Sequence, residues 1–345
     1  MTTSYPSGLG TSVGYTAEVT VGTALTTSMR WLQHDKATFE YKKGTVTSVG
    51  LHQGLYQQGK RRNILTKQAT GQLTMDVVAN KMGLLFKHAL GSSATAASMA
   101  GGSGAAYQQI HTPGDTYGLG LTIQVTKAGN QGTLQQFTYS GSKVTDWQLS
   151  VARGGIAKFD LGIDAWLEDT TTSLASVSYV ATDVLHFAQG ALTLAGTVSG
   201  SPYVVSAGTT PTALVQDVTI KGTNPLRVDR FNIGSTTKAE QLANNWRTIT
   251  GTVTLEFNSL ESVLYTAFTA DTAQALHFSL TGGVIPNGGT NHELVDVILP
   301  QVYLDTDMID ITGPDILTQK VNFTALDDGT TTPIQIVYQS SDVAV

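Results

Sequence analysis

Several groups of residues have the types and spacing of a chemical site, and each lacks a part that its chemistry requires. Gly54, Gly59 and Lys60 are spaced as in a phosphate-binding loop, where backbone N–H groups wrap the phosphate and a lysine reaches it. Arg61, however, stands where Ser or Thr must coordinate magnesium, and no apolar strand leads into Gly54. The better reading is an extended, flexible loop over residues 50–67, with Lys60, Arg61, Arg62 and Lys67 as a basic tip facing solvent or a partner. Asp305, Asp307 and Asp310 bring three carboxylates within six residues, but the glycine and distal Glu of a calcium loop are missing, which leaves a turn between strands. His34, His52, His88, His111, His186, His277 and His292 show no HExxH or paired spacing, and His292 and Glu293 lead into a strand-like run rather than a metal-binding helix. A nucleophile elbow is absent, residues 101–104 read as a linker or loop in low-complexity sequence, and the glycosylation-type spacing of Asn322 and Thr324 reads as strand. Trp31, Trp147, Trp166 and Trp246 are spread through the chain, which favours packing over a sugar-binding platform. No catalytic, cofactor or metal set emerges.

The elements that would position any site are written twice. Residues 70–77 recur as residues 250–257, 180 positions later, and in each run the apolar residues alternate: Leu73, Met75 and Val77, then Val253, Leu255 and Phe257. Alternation of this kind predicts half-buried strands, and a period this long marks a duplicated domain rather than a solenoid. Each strand leads into a helix-like segment, with Val78, Met82, Leu85 and Ala89 in the first copy and Leu260, Val263, Leu264, Ala267 and Phe268 in the second, where Asn258 and Glu261 suggest a capping box. Residues 120–125 match 275–280, and residues 156–163 match 317–324 as a closing strand. The domains are then residues 1–170 and 178–345, the first carrying long loops at 50–67 and 92–118.

Length suits two domains, each able to bury a core. With no cysteine, disulfides and thiolate metal sites are excluded; no secretory leader is read at the N-terminus, and no apolar run approaches the ~20 residues of a membrane span. Only 13% of residues are charged, while Gly and Thr are abundant, the composition of a turn-rich all-β protein whose surface is engaged with neighbours. Residues 1–170 hold 14 basic against 10 acidic side chains, and residues 171–345 hold 6 against 16. The opposite signs fit either drift on solvated faces or alternating contact between unlike halves of neighbouring chains. Overall acidity argues against tight nucleic-acid binding.

Residues 185–196, 218–226, 245–257 and 313–317, together with residues 137–151 and the following Gly154 and Gly155, closely resemble the tail tube proteins of long-tailed bacteriophages. The resemblance runs from about Lys36 to Tyr338. It implies a mainly β fold of two tandem β-sandwich tube domains, each with a flanking α-helix, whose strands close into an inter-subunit β-barrel ring. It implies a structural virion protein, assembled in the host cytoplasm, whose rings stack into the tail tube, the conduit for DNA ejection. Relatives with one tube domain form six-membered rings, so two domains per chain imply three chains in a pseudo-six-fold ring, with six chains as the alternative. Implied partners are further copies of the chain, a tape measure protein, and tail terminator or distal tail proteins, while DNA passes without specific binding. Closure through neighbouring subunits would also remove the open strand edges that are otherwise an aggregation hazard. The basic tip is expected to meet acidic groups of a neighbouring chain near Asp305 to Asp310 or Asp327 and Asp328. A decoration or minor tail protein is the alternative within virions, and a carbohydrate-binding β-sandwich the alternative outside them.

Overall fold

The computed structural model describes residues 7–51, 53–101, 104–129, 133–180, 182–211, 213–257, 262–309, 313–314 and 316–345. The principal strands are β1 (Ser12–Ala17), β2 (Lys36–Thr47), β3 (Arg62–Asp76), β4 (Tyr107–Pro113), β5 (Leu121–Ala128), β6 (Leu134–Val151), β7 (Lys158–Ala165), β8 (Gly190–Leu194), β9 (Val215–Thr223), β10 (Thr248–Glu256), β11 (Gln274–Val284), β12 (His292–Ile309), β13 (Thr318–Ala325) and β14 (Gln335–Ser340). Helix α1 (Gly83–Leu90) follows β3, and α2 (Ser262–Ala270) follows β10. The fold is mainly β, built of large antiparallel sheets.

Period-two alternation decides the faces. Along β3, Ala69, Leu73 and Met75 are buried while Thr70, Gln72 and Thr74 look the other way; along β10, Ile249, Val253 and Leu255 are buried between Thr250, Thr252 and Thr254. The α1 helix is apolar nearly all round and correspondingly buried, with Leu84, Leu85, Phe86, Ala89 and Leu90 in the core. It ends at Gly91, whose φ of 103° and close approach to Gly114, where a Cβ would meet the carbonyl oxygen at 2.2 Å, admit only glycine. Its start is Gly83, so Val78 belongs to the connection and not to the helix, although it is buried. The cap expected at Asn258 and Glu261 lies outside the described residues.

Strand order recurs in register. The first half runs β1-β5-β6-β7-β3-β2 and the second β8-β11-β12-β13-β10-β9, all antiparallel. Gly71 pairs with Ile163 as Gly251 pairs with Phe323, which sets Ile163 and Phe323 in equivalent places, 160 positions apart. The sequence match of residues 156–163 to 317–324 is therefore one residue out of step, and a one-residue slip would set Phe159 against exposed Lys320 instead of buried Gln319. The β6–β7 ladder is interrupted at Thr145 and the β12–β13 ladder at Asp305, again 160 positions apart. A second interruption, between Leu121 and Ile123, recurs between Gln274 and Leu276, so the sequence match of residues 120–125 to 275–280 is two residues out of step.

The halves share backbone pairing. Strand β9 lies antiparallel on β6, with Gly222 opposite Trp147, and β14 pairs with β4. An eight-stranded antiparallel run results, β2-β3-β7-β6-β9-β10-β13-β12. Strand β4, with a short pair at Gly91–Ser93, lies inside the stretch expected as a loop at 92–118; Gln109 and His111 are buried there because the C-terminal strand covers them. The apolar core is continuous across the halves: Phe86 of α1 packs edge-on against Phe159 at 5.1 Å and Tyr338 at 5.6 Å.

Candidate assembly surfaces

The eight-stranded run has one face in the core and one that is polar. On the polar face, Thr and carboxylate side chains find partners within the chain. Thr74 Oγ1 donates to Asp160 Oδ1 at 2.5 Å, Thr252 Oγ1 to Asn322 Oδ1 at 2.9 Å, Asn322 Nδ2 to Thr306 Oγ1 at 2.7 Å, and Thr324 Oγ1 to Asp305 Oδ2 at 2.7 Å. Lys158 is shared by Asp76 and Asp35; burial alone would lower its pKa, but the two carboxylates raise it. The exposed Lys36, Lys221 and Lys320 lie on the same face and enter no ion pair among the described residues.

The connection from β9 to β10, residues 224–247, lies back over the first half. Lys238 Nζ meets Asp164 Oδ2 at 2.5 Å with both side chains buried, and Gln241 Nε2 donates to the same oxygen at 2.7 Å. Burial pushes Asp164 up and Lys238 down, each opposed by its partner. Lys143 Nζ donates to the Thr116 carbonyl at 2.7 Å, the Gln241 carbonyl at 3.0 Å and Glu240 Oε1 at 2.5 Å. Buried pairs of this kind fix geometry, because removing one member leaves a buried charge. Lys238 and Glu240 sit in a connection without alternation, while Lys143 and Asp164 are strand residues of β6 and β7, and only their partners' distant positions in the chain give the four a common role.

The basic residues expected in a loop at 50–67 divide between a turn and a strand. β2 and β3 form one long hairpin, in which Arg62 opposes Thr47 and Lys67 opposes Lys43. Lys67 is a strand residue, half-buried, whose N–H donates to the Thr236 carbonyl at 2.8 Å; it is not part of a flexible tip. Lys60 and Arg61 lie in a single 3₁₀ turn (Gly59–Arg61) at the end of the hairpin, exposed, with Arg62 beginning the return strand. There is no strand-to-helix passage, and so no phosphate cradle. Apolar residues share this end: Leu51 is 101% exposed, Leu55 95% and Tyr56 84%. Exposed apolar side chains clustered at a projecting tip mark a contact surface.

Asp305 and Asp307 lie within β12 rather than in a turn, Asp305 being the residue at the ladder interruption; Asp310 lies outside the described residues. Among the described residues no cluster of metal-ligating side chains occurs. Burial lowers His88 and His111 to about 3, so both are neutral core residues. Trp31 and Trp147 are buried, Trp166 is half-buried with its indole N–H on Gln241 Oε1 at 2.8 Å, and Trp246 is largely exposed, so the tryptophans form no exposed cluster. Asn322, in β13, is held by two hydrogen bonds as a strand residue.

The eight-stranded run has two outer edges, β2 and the C-terminal part of β12 from Tyr303 to Ile309, and among the described residues neither has a backbone partner on its outer side. Unpaired edges of this length are templates for another chain. No helix among the described residues is long and apolar enough to cross a membrane.

A family model described as Phage tail tube protein matches residues 8–325, nearly the whole chain. Comparison with curated proteins gives no match.

Proposed function

The chain belongs to the phage tail tube protein family, a structural component of the virion tail, and from that premise we propose that it polymerises as stacked rings into the tube through which DNA is ejected. The observation that carries this reading is the eight-stranded run whose two outer edges have no backbone partner among the described residues: a subunit with two unlike edges associates head to tail and either closes into a ring or runs on as a filament. The recurrence of strand order and ladder interruptions supports a duplicated tube unit, so that three chains supply six units to a ring, with six chains as the alternative. The Thr-rich polar face, whose hydroxyl, amide and carboxylate groups bond to one another within the chain, supports its use as the lumen wall. The hairpin end bearing Lys60, Arg61 and exposed Leu51, Leu55 and Tyr56 reaches an adjacent ring, where its basic groups meet acidic ones such as Asp327 and Asp328. The protein has no catalytic step in this reading, and its further partners are the tape measure and the proteins that cap the tube. Negative-stain microscopy of the purified protein tests it: stacked rings with a central channel are expected, and discrete oligomers that never stack would instead favour a decoration or minor tail protein.

A further inference from the structure

Resting on the tube-forming reading, we propose that the joint between neighbouring chains copies the joint between the two halves of one chain, register included. The outer edge of β12 pairs antiparallel with β2 of a second copy, placing Thr306 opposite Lys42 and Ile309 opposite Phe39.

Three observations carry the register. First, β2 and β9 hold equivalent places, since Phe39 opposes Gly71 as Ile220 opposes Gly251, a displacement of 181 positions. Second, β6 and β12 hold equivalent places at a displacement of 160, fixed by pairing with β7 and β13 and by the shared ladder interruption at Thr145 and Asp305. Third, β9 is joined to β6 within the chain, with Ile220 opposite Leu149 and Thr223 opposite Asp146, while β2 and the end of β12 are unjoined among the described residues. Carrying the internal pairs across by these displacements turns Ile220–Leu149 into Phe39–Ile309 and Thr223–Asp146 into Lys42–Thr306.

The chemistry of the two edges agrees. Within the chain the ladder continues past Thr223 with the Asn224 N–H donating to the Thr145 carbonyl at 2.7 Å. The equivalent step between chains sets Lys43 beside Asp305, two exposed residues of opposite charge. The core side also matches in parity: Phe39 is buried and Tyr41 is 36% exposed on the same face, which a neighbouring strand would cover. A slip by one residue would set the core-side residues of β2 beside the polar-face residues of β12, so parity between the two edges is specified. The joint is heterologous, one edge of each chain meeting the other edge of the next, as a closed ring requires.

Cysteine pairs test the register, and the chain contains no cysteine to interfere. Residues directly opposite in an antiparallel pair stand within disulfide reach, whereas diagonal neighbours fall at or beyond its limit. The variant Lys42→Cys with Thr306→Cys, oxidised with copper–phenanthroline after assembly, is expected to give covalent multimers on a denaturing gel. The diagonal pair Glu40→Cys with Thr306→Cys is expected to give at least tenfold less. The internal pair Thr223→Cys with Asp146→Cys reports on the parent joint and should alter only the mobility of the single chain. If microscopy shows tubes and the internal pair closes, but Lys42 and Thr306 do not cross-link above the diagonal pair, the register is wrong while the tube reading stands. If neither rings nor tubes form and no interchain cross-link appears, both fail.

Discussion

Trp147 covers Gly222 across the seam between the two halves: the residues are directly paired between β6 and β9, and a Cβ on Gly222 would stand 2.3 Å from the indole ring. Trp147 is buried and continues into Phe159, at 6.5 Å between ring centroids, so this contact ties the seam to the core under α1. Gly222 has ordinary extended backbone, and the need for glycine comes from the ring and not from a left-handed φ.

Gly222→Ala should therefore destabilise the chain by about 1–3 kcal/mol, the usual range for inserting a methyl into a packed core. In a strand with open space, the same change would be neutral or stabilising. Urea denaturation monitored by tryptophan fluorescence checks the sign.

Stability should fall on mild acidification. His88 and His111 have folded pKa values of about 3 against 6.5 for the free side chain. The unfolded chain therefore binds more protons between those values, and stability is lost as pH drops through 6.5 toward 3. At pH 5 each residue costs about 2 kcal/mol relative to neutral pH, at roughly 1.4 kcal/mol per pH unit. Glu18 and Glu293 act oppositely, since burial raises both above the usual carboxylate range and they favour the folded state on protonation. Comparing His88→Leu with the parent isolates one histidine: denaturation at a series of pH values from 7 to 5 should show a slope smaller by about one proton.

Removing residues 53–62 should leave folded protein that no longer stacks. Residues 53–62 are exposed, so little core is lost, and the β2–β3 ladder from Lys36 to Thr45 retains its partners. Circular dichroism should be unchanged and microscopy should show single rings. Tubes of ordinary length would mean that another surface carries stacking.

Much of this architecture could be read from the residues, and the exceptions have physical causes. The strands at Leu73 to Val77 and Val253 to Phe257 announced themselves because one face is buried and the other is Thr-rich. Most of β2 and the early part of β3 do not, because their residues are largely exposed on both faces and leave no alternation; residues 62–67 of β3 accordingly fall in the stretch expected as a loop. Strand β4 was hidden for a different reason: its partner, β14, lies more than 200 residues away, and its surroundings are rich in Ala, Gly and Ser. The closing strands were matched one residue out of step because Phe159 is replaced by the buried amide of Gln319, so hydrophobicity alone could not align them. The carboxylates at Asp305 and Asp307 resembled a turn because polar residues at a strand end and at a ladder interruption look alike in sequence.

Lys60, Arg61 and Arg62 should contribute little to DNA affinity. With 20 basic residues against 26 acidic ones, the chain lacks the surface that releases counterions from DNA. Gel-shift titration should show no low-micromolar binding, and replacing the three residues with Ala should not change the result. In parallel, tube length should decrease only modestly as salt rises, because exposed ion pairs contribute about 0–1 kcal/mol each. Low-micromolar binding that disappears in the triple variant would place the basic end in the lumen.

Electron cryomicroscopy of the purified, assembled protein bears most directly on the proposed role, since it reads symmetry, stacking and channel together. Rings of three chains, each giving two similar strand units to one continuous wall around an open channel, are the expected result. Six full chains per ring would contradict the three-chain closure, and an assembly with neither rings nor a channel would contradict the tube itself.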